Sequence, residues 1–544
     1  MRKNWGVSFP FSRKVFLMVT TRKSGKTGRP RRKAQFVQKA RGAFHPRVQK
    51  VGPEHFGIVC VDCHKERSKF MVADFYGNVL IAPTMLEHNR LALDAAISQV
   101  RAAFVEHAIH DSLVAVERTG RYHHVVKQAF TAAAFDSRVV HPFATKQHRL
   151  PANPGEKTDD TDLLALHRAS VNGFALSEPA WDASWRHLQL LVRYRRDLVQ
   201  KSSALCCQIR EHLDAALPGL AKCFAANLWD SPVAWQLIRQ FSSARALLQA
   251  GLDGLAKCLR QANIRFQQRS LEKVLAWAAQ AAPAEPTAET NHELVLALNA
   301  DRLQKAQEIK DLERRIARAL VATPYILLLS LPGVNVVSAA EFAAEMGPIE
   351  NYANARAITG RAGLFPSRHQ SNQVDLADGP LVRCANRRLR FALLFIADNL
   401  VLCNQHFRAK AGMWRLAGDN ESNIRVKVAQ RFSRIAFQMV AGRQVFRHPC
   451  LQHRGYIVDK LNAFHMEHDT PMADILTDLR TAIEQIPTKE HAAEAKPLQE
   501  QLHDLNRRKG GPQLLRDILP IVLAKLGLGS IQRPESGEAD LTPQ

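Results

Sequence analysis

The sequence predicts an α/β unit followed by a longer, mostly helical remainder, an α/β plus α fold. Two observations predict it. Between residues 56 and 141, short apolar runs alternate with amphipathic stretches, the pattern of buried strands joined by helices. From residue 181 onward the strand signal disappears and apolar residues recur at three- and four-residue spacing, which is the helical period. Composition sets the frame: 544 residues, 46% hydrophobic and 23% charged, match a globular protein of about three to four units and exclude collagen-like and wholly disordered chains.

Residues 1–54 read as a basic flexible arm. The first fifty residues hold fifteen Lys and Arg and no Asp or Glu, out of a net charge of +24. The other 494 residues therefore carry a diffuse excess of +9. Both features fit a polyanionic partner, most simply DNA or RNA. The apolar run Val15-Phe16-Leu17-Met18-Val19 is bracketed by Arg13, Lys14, Arg22 and Lys23, too closely for a signal peptide. No run approaches the ~20 clean apolar residues of a membrane span, so no membrane partner is expected.

Residues 55–180 carry the α/β pattern. Phe56-Gly57-Ile58-Val59-Cys60-Val61-Asp62 is an apolar strand ending in a carboxylate. A second strand covers residues 68–75, Tyr76-Gly77-Asn78 gives a turn, and Val79-Leu80-Ile81 begins a third. A helix over 90–107 leads to Leu113-Val114-Ala115-Val116-Glu117, another strand ending in a carboxylate, and Arg138-Val139-Val140-His141 follows as a fifth. Thr158 reads as an N-cap, with Asp159, Asp160 and Asp162 in the first turn, where the helix dipole favours acids.

Residues 181–322 read as a helical, coiled-coil region. Leu191, Tyr194, Leu198, Leu205, Ile209 and Leu213 form one stripe; Ile309, Leu312, Ile316 and Leu320 form another. They serve either core packing or a coiled coil, within the chain or between chains. Residues 323–450 form a further helical unit, and residues 451–544 an appended helical segment with a disordered tail. Nine cysteines are too few for a disulfide scaffold and read as reduced residues of a cytoplasmic protein. Cys60 and Cys63 form a lone C-x-x-C that no second C-x-x-C or His pair completes into a zinc site.

Asp62, Glu117, Asp159 and Asp162 are the candidates for chemistry. Two end apolar strands, where a buried sheet delivers side chains to one edge, and two lie three apart on one helix face. Hard divalent cations take such carboxylate oxygens and stabilise the attacking and leaving oxygens of phosphoryl transfer. Taken singly, each is more often an ordinary strand-end or helix-cap acid; the strand-and-helix arrangement is what raises the set.

Gly57 to Asp62 with His64-Lys65, then Glu117-Arg118-Thr119-Gly120-Arg121-Tyr122-His123, then Lys157-Thr158-Asp159-Asp160-Thr161-Asp162 resemble the motifs of DEDD transposases of bacterial insertion sequences, a group that includes pilin-gene-inverting recombinases. The resemblance continues at Leu331-Pro332-Gly333, Ala362-Gly363-Leu364-Phe365-Pro366 and Asn386-Arg387-Arg388-Leu389-Arg390. It covers roughly residues 56–450 with the motifs in the family's order.

The resemblance implies an RNase H-like N-terminal domain of the Holliday-junction-resolvase type, with Asp62, Glu117, Asp159 and Asp162 holding Mg2+ or Mn2+. It also implies a C-terminal transposase domain supplying a serine nucleophile. Ser371 takes that role here and Ser367 is its rival, with Asn372 and Cys384-Ala385 departing from a glycine-containing pattern. Arg368, Arg383, Arg387, Arg388 and Arg390 crowd the region and suit phosphate. Leu331-Pro332-Gly333 resembles a phosphate-gripping helix–hairpin–helix turn, although Asn335 replaces its second glycine. Arg425, Lys427, Arg431 and Arg434 make either a DNA-facing side or a solvated face. The implied activity is transposition or site-specific recombination through a transient phosphoserine, directed by a structured guide RNA that the element encodes. Dimers or tetramers are implied, with residues 181–322 as the candidate interface. The alternatives are a degenerate nucleic-acid-binding protein, or a metal-dependent nuclease or junction resolvase that uses water.

Overall fold

A computed structural model of the chain describes residues 44–149, 158–178, 181–224, 228–367, 369–371, 374–376, 379–383, 385–446 and 456–487. The chain divides into two units, Met1–Pro179 and Ala180–Gln544.

The first unit is built on a five-stranded sheet. β1 (Phe56–Cys63), β2 (Arg67–Asp74) and β3 (Val79–Glu87) form an antiparallel meander, while β4 (Asp111–Glu117) pairs parallel with β1 and β5 (Ser137–Val140) parallel with β4. The spatial order is β3-β2-β1-β4-β5. All eight residues of β1 are buried, which is why it reads as a continuous apolar run rather than an alternating one. β3 is an edge strand and tolerates Pro83.

Strand alternation sorts the two faces. Val59, Val61, Val114 and Val116 pack under α2 (Arg90–Glu106) and α3 (His123–Ala132). Ile58, Cys60, Leu113 and Ala115 pack under α1 (His45–Val51), α4 (Pro142–Gln147) and α5 (Asp159–Val171). Cys60 and Cys63 therefore face opposite sides of the sheet, so the C-x-x-C does not converge on one ion. Burial pushes the Cys63 thiol up to about 12.

The end of the expected basic arm is folded. Phe44 is fully buried and stacks on Phe56 at 5.4 Å. Arg47 on α1 bonds the Asp111 carboxylate and, at 2.8 Å, the Ser112 carbonyl, and pairs with Asp136 at 2.5 Å. Residues 1–43 lie outside the described residues. The composition of the arm hid this, because the seven-residue helix docks chiefly through Phe44, Val48 and the paired Arg47.

In the second unit, α6 (Ala183–Ala216) and α11 (Ala288–Val321) are 34-residue helices, each about 50 Å long at 1.5 Å per residue. They pair antiparallel within the chain: Arg195 meets Glu313 near one end and His212 meets Asn291 near the other. Their distal halves close over α7 (Ala221–Phe224), α8 (Pro232–Gln240), α9 (Ala244–Gln261) and α10 (Gln268–Ala279), around a core that includes Ile209, Leu213, Trp235, Leu259, Leu271 and Val295.

Their proximal halves belong to a different core. Leu188, Leu191, Leu198, Leu312, Ile316 and Leu320 pack with the helices that follow. These are α12 (Val336–Met346), α13 (Ala355–Ala362), α14 (Arg387–Cys403), α15 (Gln405–Leu416), α16 (Glu421–Ala441), α17 (Tyr456–Glu467) and α18 (Met472–Gln485). The hub is the 3-10 segment Pro324–Ser330, whose Ile326, Leu327, Leu328 and Leu329 are fully buried. One core thus runs from Trp185 to Ile486. The divisions expected near residues 322 and 450 do not separate packing units, and α17 and α18 are part of the core rather than an appendage. A short hairpin, β6 (His369–Ser371) with β7 (Val374–Leu376), projects between α13 and α14.

Candidate active site

The acids converge for a reason visible in the strand alternation. Asp62 follows Ile58 and Cys60 in parity, and Glu117 follows Leu113 and Ala115, so both are directed to the α5 face of adjacent parallel strands. α5 begins there. Thr158 caps it, accepting the Thr161 N–H at 3.2 Å in a reciprocal capping box. Asp162 is buried and continues the apolar stripe of Leu163, Leu166 and Ala169 that holds α5 against the sheet.

Asp62 is buried with 5% of its surface exposed. Burial raises its pKa first, against the lowering effect of Glu117 and His64, while the charges of Asp162 and Asp159 push it further up. Glu117 rises to about 7, through burial first and then the charge of Asp62. Carboxylates crowded in a low-dielectric corner repel one another unless a cation joins them. The donor set, all oxygen, fits a hard divalent cation.

His64, just beyond β1, sits between two of the acids: its Nε2 lies 3.6 Å from Asp62 Oδ2 and 3.7 Å from Asp159 Oδ1. The ligating atoms of Asp62, His64 and Asp159 all fall within 4.8 Å of one another. Asp160 turns away to Lys69 at 2.5 Å. Asp162 is held on both oxygens by Arg149, at 2.6 and 3.0 Å, a bidentate pair that a cation at Asp162 has to share or displace. His64 and Arg149 were not singled out for chemistry from the sequence. For His64 the signal was its place two residues beyond a strand-end acid; for Arg149 there was none.

In the second unit, Ser371 forms the last backbone pair of the β6–β7 hairpin, opposite Val374. The side chain of Ser371, and Arg368, Asn372 and Cys384, lie outside the described residues. Ser367 stands at the base of the hairpin, where its hydroxyl donates to the Pro380 carbonyl at 2.9 Å. Arg383, Arg387 and Arg388 are exposed, and α14 also exposes Phe391 and Phe395, stacked at 6.2 Å.

Arg390 differs from its neighbours. Its guanidinium donates to the carbonyls of Ala362 at 2.8 Å, Gly363 at 3.2 Å, and Val382. It therefore ties α13 to the chain that enters α14. Asn386 caps α14 through Arg388 and Leu389 N–H and donates to the buried Glu345 at 2.9 Å. In the Leu331-Pro332-Gly333 turn, Leu331 and Val334 are buried and Lys460 donates to their carbonyls at 2.7 Å each. Arg425 and Lys427 are paired with Asp398 and Asp419, while Arg434 remains exposed.

A DEDD transposase family model of the IS110 type matches residues 59–218, and a model described as transposase of the IS116/IS110/IS902 family matches residues 325–411. The first stretch contains all four acids and the second contains both serines and Asn386. The chain is 24% identical over 291 residues to a 43.6 kDa protein of insertion element IS110 from Streptomyces coelicolor, covering 53% of this chain and 71% of that protein. It is 25% identical over 216 residues to a 44.8 kDa protein of insertion element IS116 from Streptomyces clavuligerus, covering 40% of this chain and 53% of that one. With both motif-bearing segments matched in order, the similarity to IS110-family DEDD transposases supports reading the chain as a DNA transposase of an insertion element.

Proposed function

We propose that this transposase cuts and rejoins DNA by a transient phosphoserine linkage, with Asp62, Glu117, Asp159 and Asp162 holding Mg2+ and Ser371 as the nucleophile. The observation that carries the metal half is the convergence of Asp62 and Glu117 on the α5 face where Asp159 and Asp162 begin the helix. The strand order β3-β2-β1-β4-β5 with acids at the ends of β1 and β4 supports an RNase H-like reading of this unit. Mg2+ held there would supply charge neutralisation for the phosphate oxygens, and His64 offers a further ligand.

Ser371 is favoured over Ser367 because the Ser367 hydroxyl is committed to the hairpin base, whereas Ser371 ends a strand beside the hairpin tip. In the step proposed, Ser371 Oγ forms a bond to phosphorus as one phosphorus–oxygen bond of the DNA breaks. The departing DNA oxygen takes up a proton and the serine proton passes to solvent. Attack by a DNA hydroxyl reverses the exchange and frees the serine. Arg383, Arg387 and Arg388 supply exposed positive charge for the phosphates. An element-encoded guide RNA and a dimeric or tetrameric assembly belong to the same reading. The positive excess over the whole chain supports the RNA, since an RNA–DNA duplex is held through its backbone and shape.

The test is a denaturing gel of enzyme reacted with labelled element-end DNA. Wild type is expected to leave a protein–DNA adduct, Ser367→Ala to keep it, and Ser371→Ala to lose it while still binding DNA. An adduct that survives Ser371→Ala and disappears in Ser367→Ala transfers the role to Ser367. Cleavage with no adduct in wild type replaces the covalent mechanism with hydrolysis by water.

A further inference from the structure

Beside the acids, the described residues contain one other group with metal-ligating geometry: His123, His124 and Glu178, whose ligand atoms all lie within 4.8 Å of one another. His123 and His124 open α3, six and seven residues past Glu117. Glu178 follows Leu176, which bridges to Val139 on β5. The two imidazoles lie 4.2 Å apart, centroid to centroid.

A second observation sets this cluster apart from a solvated polar patch. His123 is 1% exposed, yet neither of its ring nitrogens has a hydrogen-bond partner. A buried imidazole with both nitrogens unsatisfied is costly, and folded proteins rarely leave one so. A lone pair coordinated to a metal removes that cost at one nitrogen. Burial first, and then the neighbouring His124, Arg118 and Lys127, lower His123 to about 4 against the opposing pull of Glu178. At neutral pH it is the uncharged donor that metals take.

We propose that His123, His124 and Glu178 form a transition-metal site, with Zn2+ as the ion its donors suit best. Two imidazoles and one carboxylate are the borderline nitrogen and oxygen donors that favour Zn2+ over Mg2+. Bonds of about 2.0–2.1 Å at tetrahedral angles bring ligand atoms to roughly 3.3 Å of one another, so the three side chains close in by side-chain rotation. The fourth position falls to water. Lys127 is the built-in competitor, since its ammonium holds Glu178 Oε2 at 2.8 Å; the ion takes the other carboxylate oxygen or displaces the ammonium. Loaded, the site clips the start of α3 to the chain beyond α5, bracing the turn 118–122 that follows Glu117.

The probe is Zn2+ added to the metal-stripped full chain in excess Mg2+ and measured by competition with a chromophoric chelator; Co2+ in its place gives a visible absorption band that reports tetrahedral geometry. Wild type is expected to bind one Zn2+ that Asp62→Asn and His64→Ala leave unchanged. His124→Ala and Glu178→Gln each lose affinity by about 100-fold or more, above the 10–100-fold typical of losing a merely supporting residue. Lys127→Ala tightens binding, because it frees the carboxylate; a polar cluster with no metal role does not respond in that direction. Equal affinity in wild type, His124→Ala and Glu178→Gln overturns the proposal, as does binding that disappears only with Asp62→Asn. Circular dichroism of each variant separates loss of the site from loss of the fold.

Discussion

Glu117 carries the repulsion that the proposed Mg2+ would relieve. Its carboxyl is raised to about 7 by burial and by Asp62, so between about pH 4.5 and 7 the folded protein holds a proton there that the unfolded chain has already released. Stability of the metal-free protein therefore falls as pH rises through that window. Glu117→Gln removes the repulsion, and above pH 7 the metal-free variant should be more stable than wild type, on the order of 1 kcal/mol, given 1.36 kcal/mol per pKa unit and partial screening. Divalent metal should raise the wild-type melting temperature and leave the variant nearly unmoved, while DNA cleavage is lost in the variant. Thermal melts in chelator and in Mg2+, from pH 4 to 8, check this. A metal-free variant that melts below wild type at pH 8 would falsify the repulsion argument. At this scale much was legible in the sequence, because a carboxylate closing an apolar strand is an anomaly a single chain displays. Arg149 and the His123–Glu178 cluster were not, and His64 only through its place beyond Asp62, because the neighbours of each come near only in the tertiary fold.

Elements were legible wherever their pattern was local. All five strands of the sheet and the Thr158 cap stand where periodicity and capping chemistry placed them. The coiled-coil stripes proved to be one intrachain pair, although Tyr194 in the first stripe is half exposed. Boundaries between units were not legible, since they depend on which core each half of a long helix joins. Asn386 illustrates why a motif residue need not touch substrate. It caps α14 and bonds Glu345, which also pairs with Arg193 of α6 at 2.9 Å, so it joins three helices. Asn386→Ala should cost about 1–2 kcal/mol, the loss of a cap plus a bond to a buried charge. Asn386→Asp keeps the cap but sets a second carboxylate against Glu345. It should be at least as destabilised at pH 7, and should recover toward wild type as pH falls and one carboxyl takes a proton. Melting curves of both variants at pH 5 and 7 decide it; an Asp variant as stable as wild type at pH 7 would show that Arg193 alone neutralises the pair.

At the scale of the whole molecule the property to test is charge, which is concentrated at the N-terminus. Thirteen Lys and Arg lie in residues 1–43, ahead of the first described residue, whereas Phe44 and Arg47 belong to the folded sheet unit. Each Lys or Arg that meets a phosphate contributes about 0.9 to the slope of log affinity against log salt on duplex DNA. Removing residues 1–43 should therefore flatten that slope by several units and weaken binding most at low salt, with the melting temperature of the sheet unit unchanged. Removing residues 1–54 should do more. It strips Phe44 from its stack on Phe56 and leaves Asp111 and Asp136 without Arg47, so the sheet that carries Asp62 and Glu117 loses stability and cleavage declines with it. Binding isotherms from 50 to 300 mM salt and thermal melts of the two truncations separate the roles. An unchanged slope after the shorter deletion would mean that nucleic acid is held by the +11 excess of residues 44–544 alone.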